Sequence, residues 1–289
     1  MFDKIGFGTW QFGGRVEADP NNEDEKDILS IKNAINAGIK HIDTAELYAN
    51  GKCEELVGQA IKDYNREDLF IASKVRDVKL NYDDILKNCE ASLKRLGVSR
   101  LDLYYVHRPN PNIPISYTAK AFNRLLDEGM IKNVGISNAS VQTLMEYQNH
   151  LNKPIFATQS HYNLIVRECV KKGVLDYCIE NNIKFIAYRP IQLAVPSLGI
   201  EFLAKRGVYK LLDEIADKYQ KTNAQIAVKW VISKDNVHTI FKTSNPIHLK
   251  ETLEVLNFEM GREDIENLTN NFPLQKDEGF VSSGPFPLV

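Results

Sequence analysis

Eight short apolar runs recur along the chain, with the longest interval from Ile191 to Val237, and they restrict its fold more than any other feature. They are GFGT (residues 6–9), IKHIDTA near 40, LFIASKV near 70, LDLYYVH near 102, KNVGISN near 133, IFATQSHY near 156, KFIAYRP near 185 and HTIFKTS near 239. Most are apolar at nearly every position, as strands covered on both faces must be. Helical patterns lie between them. DDILKNCEASLKRLG sets Ile85, Leu86, Cys89, Leu93 and Leu96 on one stripe and ends at Gly97, a helix stop. VYKLLDEIADKYQ and TNAQIAVKWVIS are two more helices, the second opened by a capping box of Thr222 and Gln225. In NPIHLKETLEVL, Asn245 is an N-cap and Pro246 takes the first helical position.

Strand then helix, repeated along one chain, leaves an open doubly wound sheet or a (β/α)8 TIM barrel. The doubly wound sheet lacks its glycine fingerprint, because GFGTWQ carries Gln11 where the third glycine belongs. There is no phosphate-binding GxxxxGK[ST] either. The even strand count and the lack of a Ser/Gly-rich linker favour the barrel, as a single domain over residues 1–289.

Composition narrows the partners. A net charge of -2 favours neither nucleic acid nor an anionic membrane surface. MFDKIGFGTW has no basic region ahead of an apolar core, so no signal peptide is expected, and no apolar run reaches the ~18 residues of a membrane span. The four cysteines form no CxxC pair and are expected as buried or half-buried thiols in a reducing cytoplasm. The six scattered histidines show no HxxxH, which argues against a metal site.

In a barrel, chemistry sits just beyond the strand C-termini. Those positions hold Thr9 and Trp10, Asp43 and Tyr48, Ser73 and Lys74, His107, Ser137 and Asn138, Gln159 and Asn163, Tyr188 and Arg189, then Lys242 and Thr243. Lys74 stands out, since an ammonium ending an apolar strand needs water or a buried anion. Asp43 is a candidate anion, with a turn cap as its alternative role. A nearby ammonium is expected to lower the tyrosine pKa from its reference of about 10 and so tune Tyr48 for proton transfer. His107 would orient a polar substrate atom. The set suits proton transfer to a carbonyl oxygen. Of His161 and Tyr162, which alternate at a strand end, one should face the helices. Trp230 reads as core.

DTAELY, ASKV, LDLYYVHRP, VGISN, ATQSHYN, AYRP and KTSNPIHLKE resemble, in order and spacing, the successive motifs of the aldo-keto reductase superfamily over residues 5–258. The resemblance implies a (β/α)8 barrel that binds a nicotinamide cofactor without a Rossmann fold. It makes Asp43, Tyr48, Lys74 and His107 a catalytic tetrad, with Tyr48 the proton donor. Ser137, Asn138 and Gln159 would hold the nicotinamide carboxamide, and Tyr188 would stack on its ring. Lys242 and Thr243 would meet the 2'-phosphate of NADP(H), Glu251 the adenine, and Gly8, Thr9 and Trp10 would border cofactor and substrate.

The chain departs from the family pattern at Arg189, Pro190, Ile191 and Gln192, where Ser-Pro-Leu-Gly is frequent. Arg189 could still fork onto a phosphate. His248 replaces a frequent arginine of the phosphate site, which leaves NAD(H) open beside NADP(H), and Thr252 replaces a frequent asparagine. The tail KDEGFVSSGPFPLV points to no one substrate. The resemblance implies a monomeric, cytoplasmic reductase of small-molecule aldehydes or ketones. A nicotinamide-binding regulatory or scaffold subunit is the alternative, disfavoured by the intact tetrad. A barrel hydrolase or lyase ranks last, for want of a carboxylate pair or histidine cluster at the strand ends.

Overall fold

The computed structural model describes residues 2–191 and 208–271. Eight parallel strands close into a barrel in sequence order: β1 (Ile5–Gly8), β2 (His41–Asp43), β3 (Phe70–Val75), β4 (Leu103–Val106), β5 (Val134–Ser137), β6 (Ala157–His161), β7 (Lys184–Tyr188) and β8 (Val237–Phe241). Helices α1 (Asp24–Asn36), α2 (Lys52–Ile61), α3 (Tyr82–Leu96), α4 (Ile115–Asp127) and α5 (Val141–His150) follow the first five strands. Then come α6 (Glu168–Lys171) and α7 (Val174–Glu180) after β6, α8 (Val208–Tyr219) and α9 (Asn223–Val231) before β8, and α10 (Pro246–Glu254) and α11 (Arg262–Asn271) at the end. The fold is a (β/α)8 TIM barrel. Among the described residues no helix is long and apolar enough to cross a membrane.

All eight apolar runs form strands, and six of those strands are buried at every position. The helix signals hold as well. Gly97 ends α3 at φ 66°, Thr222 and Gln225 close a capping box on α9, and Asn245 caps α10 ahead of Pro246. The four cysteines are free and buried.

Two apolar clusters divide the interior. The larger lies between strands and helices and includes Trp230, whose indole N–H donates to Thr269 Oγ1 at 3.0 Å. The smaller, Ala72, Leu103, Tyr105, Ala157, Ile186 and Ile240, fills the barrel itself. Register sets Lys74 beside Tyr105 and Tyr105 beside Gly135, where any side chain would collide with the Tyr105 ring. The glycine therefore clears space for a large ring at the barrel axis.

The end away from the strand C-termini is stoppered by Phe2, which packs on His41, Phe70, Phe156 and His238 with ring centroids 4.8–5.6 Å away. His41 is buried, and neither of its ring nitrogens is hydrogen-bonded among the described residues. Burial depresses its pKa to about 4. Above the unfolded value of 6.5 both states are neutral and His41 adds no pH dependence. As pH falls through 6.5 the unfolded chain takes a proton that the folded one refuses until about pH 4. Stability is lost across that window, on the order of 3 kcal/mol from this residue. The urea midpoint should therefore fall between about pH 7 and about pH 4.5, and His41→Phe should shrink that fall. An equal fall in both proteins would assign the acid sensitivity elsewhere.

Candidate active site

β2 and β3 run side by side and bring the two buried charges together. Lys74 Nζ lies 2.5 Å from Asp43 Oδ1, 2.7 Å from the Thr44 carbonyl oxygen and 3.4 Å from the Tyr48 hydroxyl. Both charged side chains are buried. An ammonium has three N–H donors and no acceptor, so these three partners use it fully. The Tyr48 oxygen must then accept from Lys74, which leaves its own O–H proton free to point elsewhere. Asp43 is the anchor of Lys74 rather than a turn cap, and its second oxygen accepts from Gln159 Nε2 at 3.0 Å.

Tyr48 opens a turn in which Ala49, Asn50 and Gly51 all have positive φ (50°, 52° and 91°). Left-handed backbone costs a non-glycine residue roughly 1–2 kcal/mol, and the Ala49 N–H is held by the Arg15 carbonyl at 2.6 Å. From this turn the Tyr48 ring lies over Lys74, with Nζ 5.1 Å from its centroid. Trp10 and His107 pack against the Tyr48 ring edge-on, at 4.8 and 5.7 Å between centroids.

The expected lowering of the Tyr48 pKa is corrected by the structure. Burial pushes that phenol well above its ordinary value, and the charge of Asp43 adds to the rise. Burial is the larger cause, and the carboxylate that pairs with Lys74 at 2.5 Å acts on the phenol against the ammonium. Tyr48 is held as a protonated acid. Burial, then the positive charges of Lys74 and Arg76, press the His107 pKa well below its ordinary value, so this ring is neutral near pH 7.

The opposite side of the mouth is built from β5, β6 and β7. Asn138, at φ 57°, donates through Nδ2 to the His107 carbonyl (3.0 Å) and to Ser137 Oγ (3.1 Å), and accepts from the Tyr188 hydroxyl at 2.9 Å. Ser137 Oγ donates to the Gln159 carbonyl at 2.9 Å. The half-buried Tyr188 ring stacks on His161, 5.3 Å between centroids and 16° between planes. Burial lowers the His161 pKa to about 3, so the stacked partner is a neutral imidazole. Tyr162 turns outward to pack on Trp230, so His161 and Tyr162 divide between barrel and helices as expected.

Lys242 follows β8, is exposed, and forms no ion pair among the described residues. Thr243 is half-buried and its hydroxyl accepts from the Asn245 N–H. On α10, His248 is exposed and Glu251 half-buried, three residues apart on one face. Arg189 sits at φ 55°, its carbonyl held by Asn163 Nδ2 at 3.0 Å. Thr9 is buried, and its hydroxyl donates to the Asp43 carbonyl at 3.0 Å, so it braces β2. A side chain at Gly8 would meet only ordinary contacts, so space does not demand glycine there. Ser73 faces away from the mouth, bonded to Glu54. Gln192 and the tail from residue 276 lie outside the described residues.

Sequence reading missed two parts of this site. One is Tyr105, a buried phenol whose pKa burial drives well upward, with Lys74 Nζ 5.9 Å from its ring centroid. Stepping back by two from His107 along a strand would have found it. The other is the Gln159–Asp43 bond, which joins residues 116 positions apart and leaves no local signal. Taken together, the described residues of the mouth offer a cation with no ion-pair partner among them, convergent amides and two half-buried aromatic rings, Trp10 and Tyr188. That donor set fits an anionic, amide-bearing, flat-ringed dinucleotide.

The family model for the aldo/keto reductase family matches residues 4–270. Methylglyoxal reductase YeaE of Escherichia coli is 28% identical, covering 94% of this chain and 92% of its own. The crystal structure of the thermostable aldo-keto reductase Tm1743, in complex with the inhibitor epalrestat, superposes with a TM-score of 0.87 at 37% identity, over 92% of this chain and 94% of that one. An aldo-keto reductase from Klebsiella pneumoniae in complex with NADPH superposes at 0.81 with 27% identity, over 94% and 92%. The chain belongs to the aldo/keto reductase family.

Proposed function

We propose that the protein is an NADP(H)-dependent reductase of aldehyde or ketone carbonyls, reversible toward alcohol oxidation, with Tyr48 as the proton donor. The observation that carries this reading is the saturated Lys74 ammonium, which bonds Asp43, Thr44 and the Tyr48 oxygen and leaves the phenolic proton available. When bound, the reduced nicotinamide supplies the hydride. Tyr48 passes its proton to the substrate oxygen, and the Lys74 ammonium at 3.4 Å meets the negative charge that develops on the phenol. Neutral His107 retains one N–H to orient that oxygen.

Ser137, Asn138 and Gln159 are the residues for the carboxamide, and Tyr188, backed by His161, offers its ring to the nicotinamide. Lys242 and Thr243, with His248 beside them, are the residues for the 2'-phosphate, Arg189 for a backbone phosphate and Glu251 for the adenine. Gly8, Thr9 and Trp10 border the nicotinamide end. NAD(H) serves as the weaker cofactor, since Lys242 answers a phosphate that NAD(H) lacks. The similarity to a methylglyoxal reductase supports small 2-oxoaldehydes as the first substrates to try.

The test is carbonyl-dependent oxidation of NADPH by the purified protein, across small aldehydes, ketones and 2-oxoaldehydes. Turnover with NADPH, slower with NADH, is expected. Binding of NADPH with no turnover on any member would favour a regulatory subunit.

A further inference from the structure

The loop after β1 sends its two aromatic residues in different directions. Gln11 adopts φ 80°, and the Phe12 N–H bonds back to the Thr9 carbonyl at 3.0 Å. Trp10 lies against Tyr48. Phe12 turns into the seam between β1 and β8, fully buried, 6.1 Å from Phe7, which in turn packs edge-on against Phe241 at 5.8 Å. The residue after Phe241 is Lys242, and its ammonium sits 4.8 Å from the centroid of the Phe12 ring.

We propose that Phe12 is a specificity-determining residue, whose ring face holds the Lys242 ammonium in place and so favours dinucleotides bearing a 2'-phosphate. The inference rests on the reading of Lys242 as the phosphate contact. A lysine side chain has many rotamers, and much of that freedom is lost when the head group is fixed on a ligand. A head group already resting on a ring has given up part of that freedom before the ligand arrives, which is the advantage of preorganisation. The ring takes one side of the ammonium and leaves the remaining N–H donors toward solvent, from which a phosphate approaches. Phe12 never touches the ligand in this account. It acts through Lys242, and a dinucleotide without the phosphate gains nothing from it.

The test is a double-mutant cycle read as NADPH and NADH dissociation constants of the intact protein, with no turnover needed. Phe12→Leu is expected to weaken NADPH about two- to fivefold and leave NADH unchanged. In the Lys242→Ala background, the same replacement should change neither. Pentafluorophenylalanine at position 12 keeps the shape and reverses the ring quadrupole, so it should reproduce the loss even if the leucine protein does not fold. Equal effects on both cofactors, no effect, or tighter NADPH would overturn the role of Phe12. Should Lys242→Ala leave the discrimination intact, the phosphate reading of Lys242 itself fails. If Lys242→Ala abolishes discrimination while the Phe12 variants keep it, only the present inference fails.

Discussion

Tyr48→Phe is expected to lower carbonyl reduction by about 10²–10⁴-fold, the usual contribution of a positioned proton donor. The variant removes one oxygen. Its ring still packs between Trp10 and His107, and Lys74 keeps its shorter bonds to Asp43 and Thr44. The fold and the NADPH affinity should therefore change little. Single-turnover mixing of the preformed NADPH complex with an aldehyde separates these effects, because it reads the chemical step after binding. A rate within about tenfold of the parent would remove Tyr48 from the donor role and shift attention to His107.

Asp43→Ala should produce the second large effect, this time on stability. It strands a fully buried ammonium with two neutral oxygen partners and also takes the acceptor from Gln159. Breaking a buried pair in this way costs about 3–5 kcal/mol, because the remaining charge has no counterion. Domain stabilities are about 5–15 kcal/mol, so the urea midpoint should fall steeply. The double replacement Asp43→Leu with Lys74→Met removes both charges and should recover much of the loss. A cost below about 1 kcal/mol for the single variant would mean that water reaches the pair.

The fold was legible because strands covered on both faces must be apolar at nearly every position, and such runs are short and conspicuous. LFIASKV and KFIAYRP announce themselves in this way. Lys74 was legible for the opposite reason, as a charge that an apolar strand could not end on without a partner. The direction of the Tyr48 pKa was not legible. Spacing can place an ammonium near a phenol, but it cannot say how deeply the phenol is buried, and here burial, with the charge of Asp43, outweighs the ammonium. The Gln159–Asp43 bond and the seating of Lys242 on Phe12 each depend on barrel closure, which brings distant parts of the chain into contact. In the sequence, His161 is only one of two alternating side chains. Its stacking on Tyr188 follows from the register of β6 with β7, which pairs the two directly.

Cofactor binding is the most direct test, measured by titrating the intact protein with NADPH and separately with NADH while following tryptophan fluorescence. Trp10 packs against Tyr48 at the mouth and should report the event, whereas Trp230 is buried among the helices. Saturable quenching by both, with NADPH the tighter ligand, is the predicted result. Saturation by neither would contradict the central claim, since the tetrad would then have no hydride donor to serve.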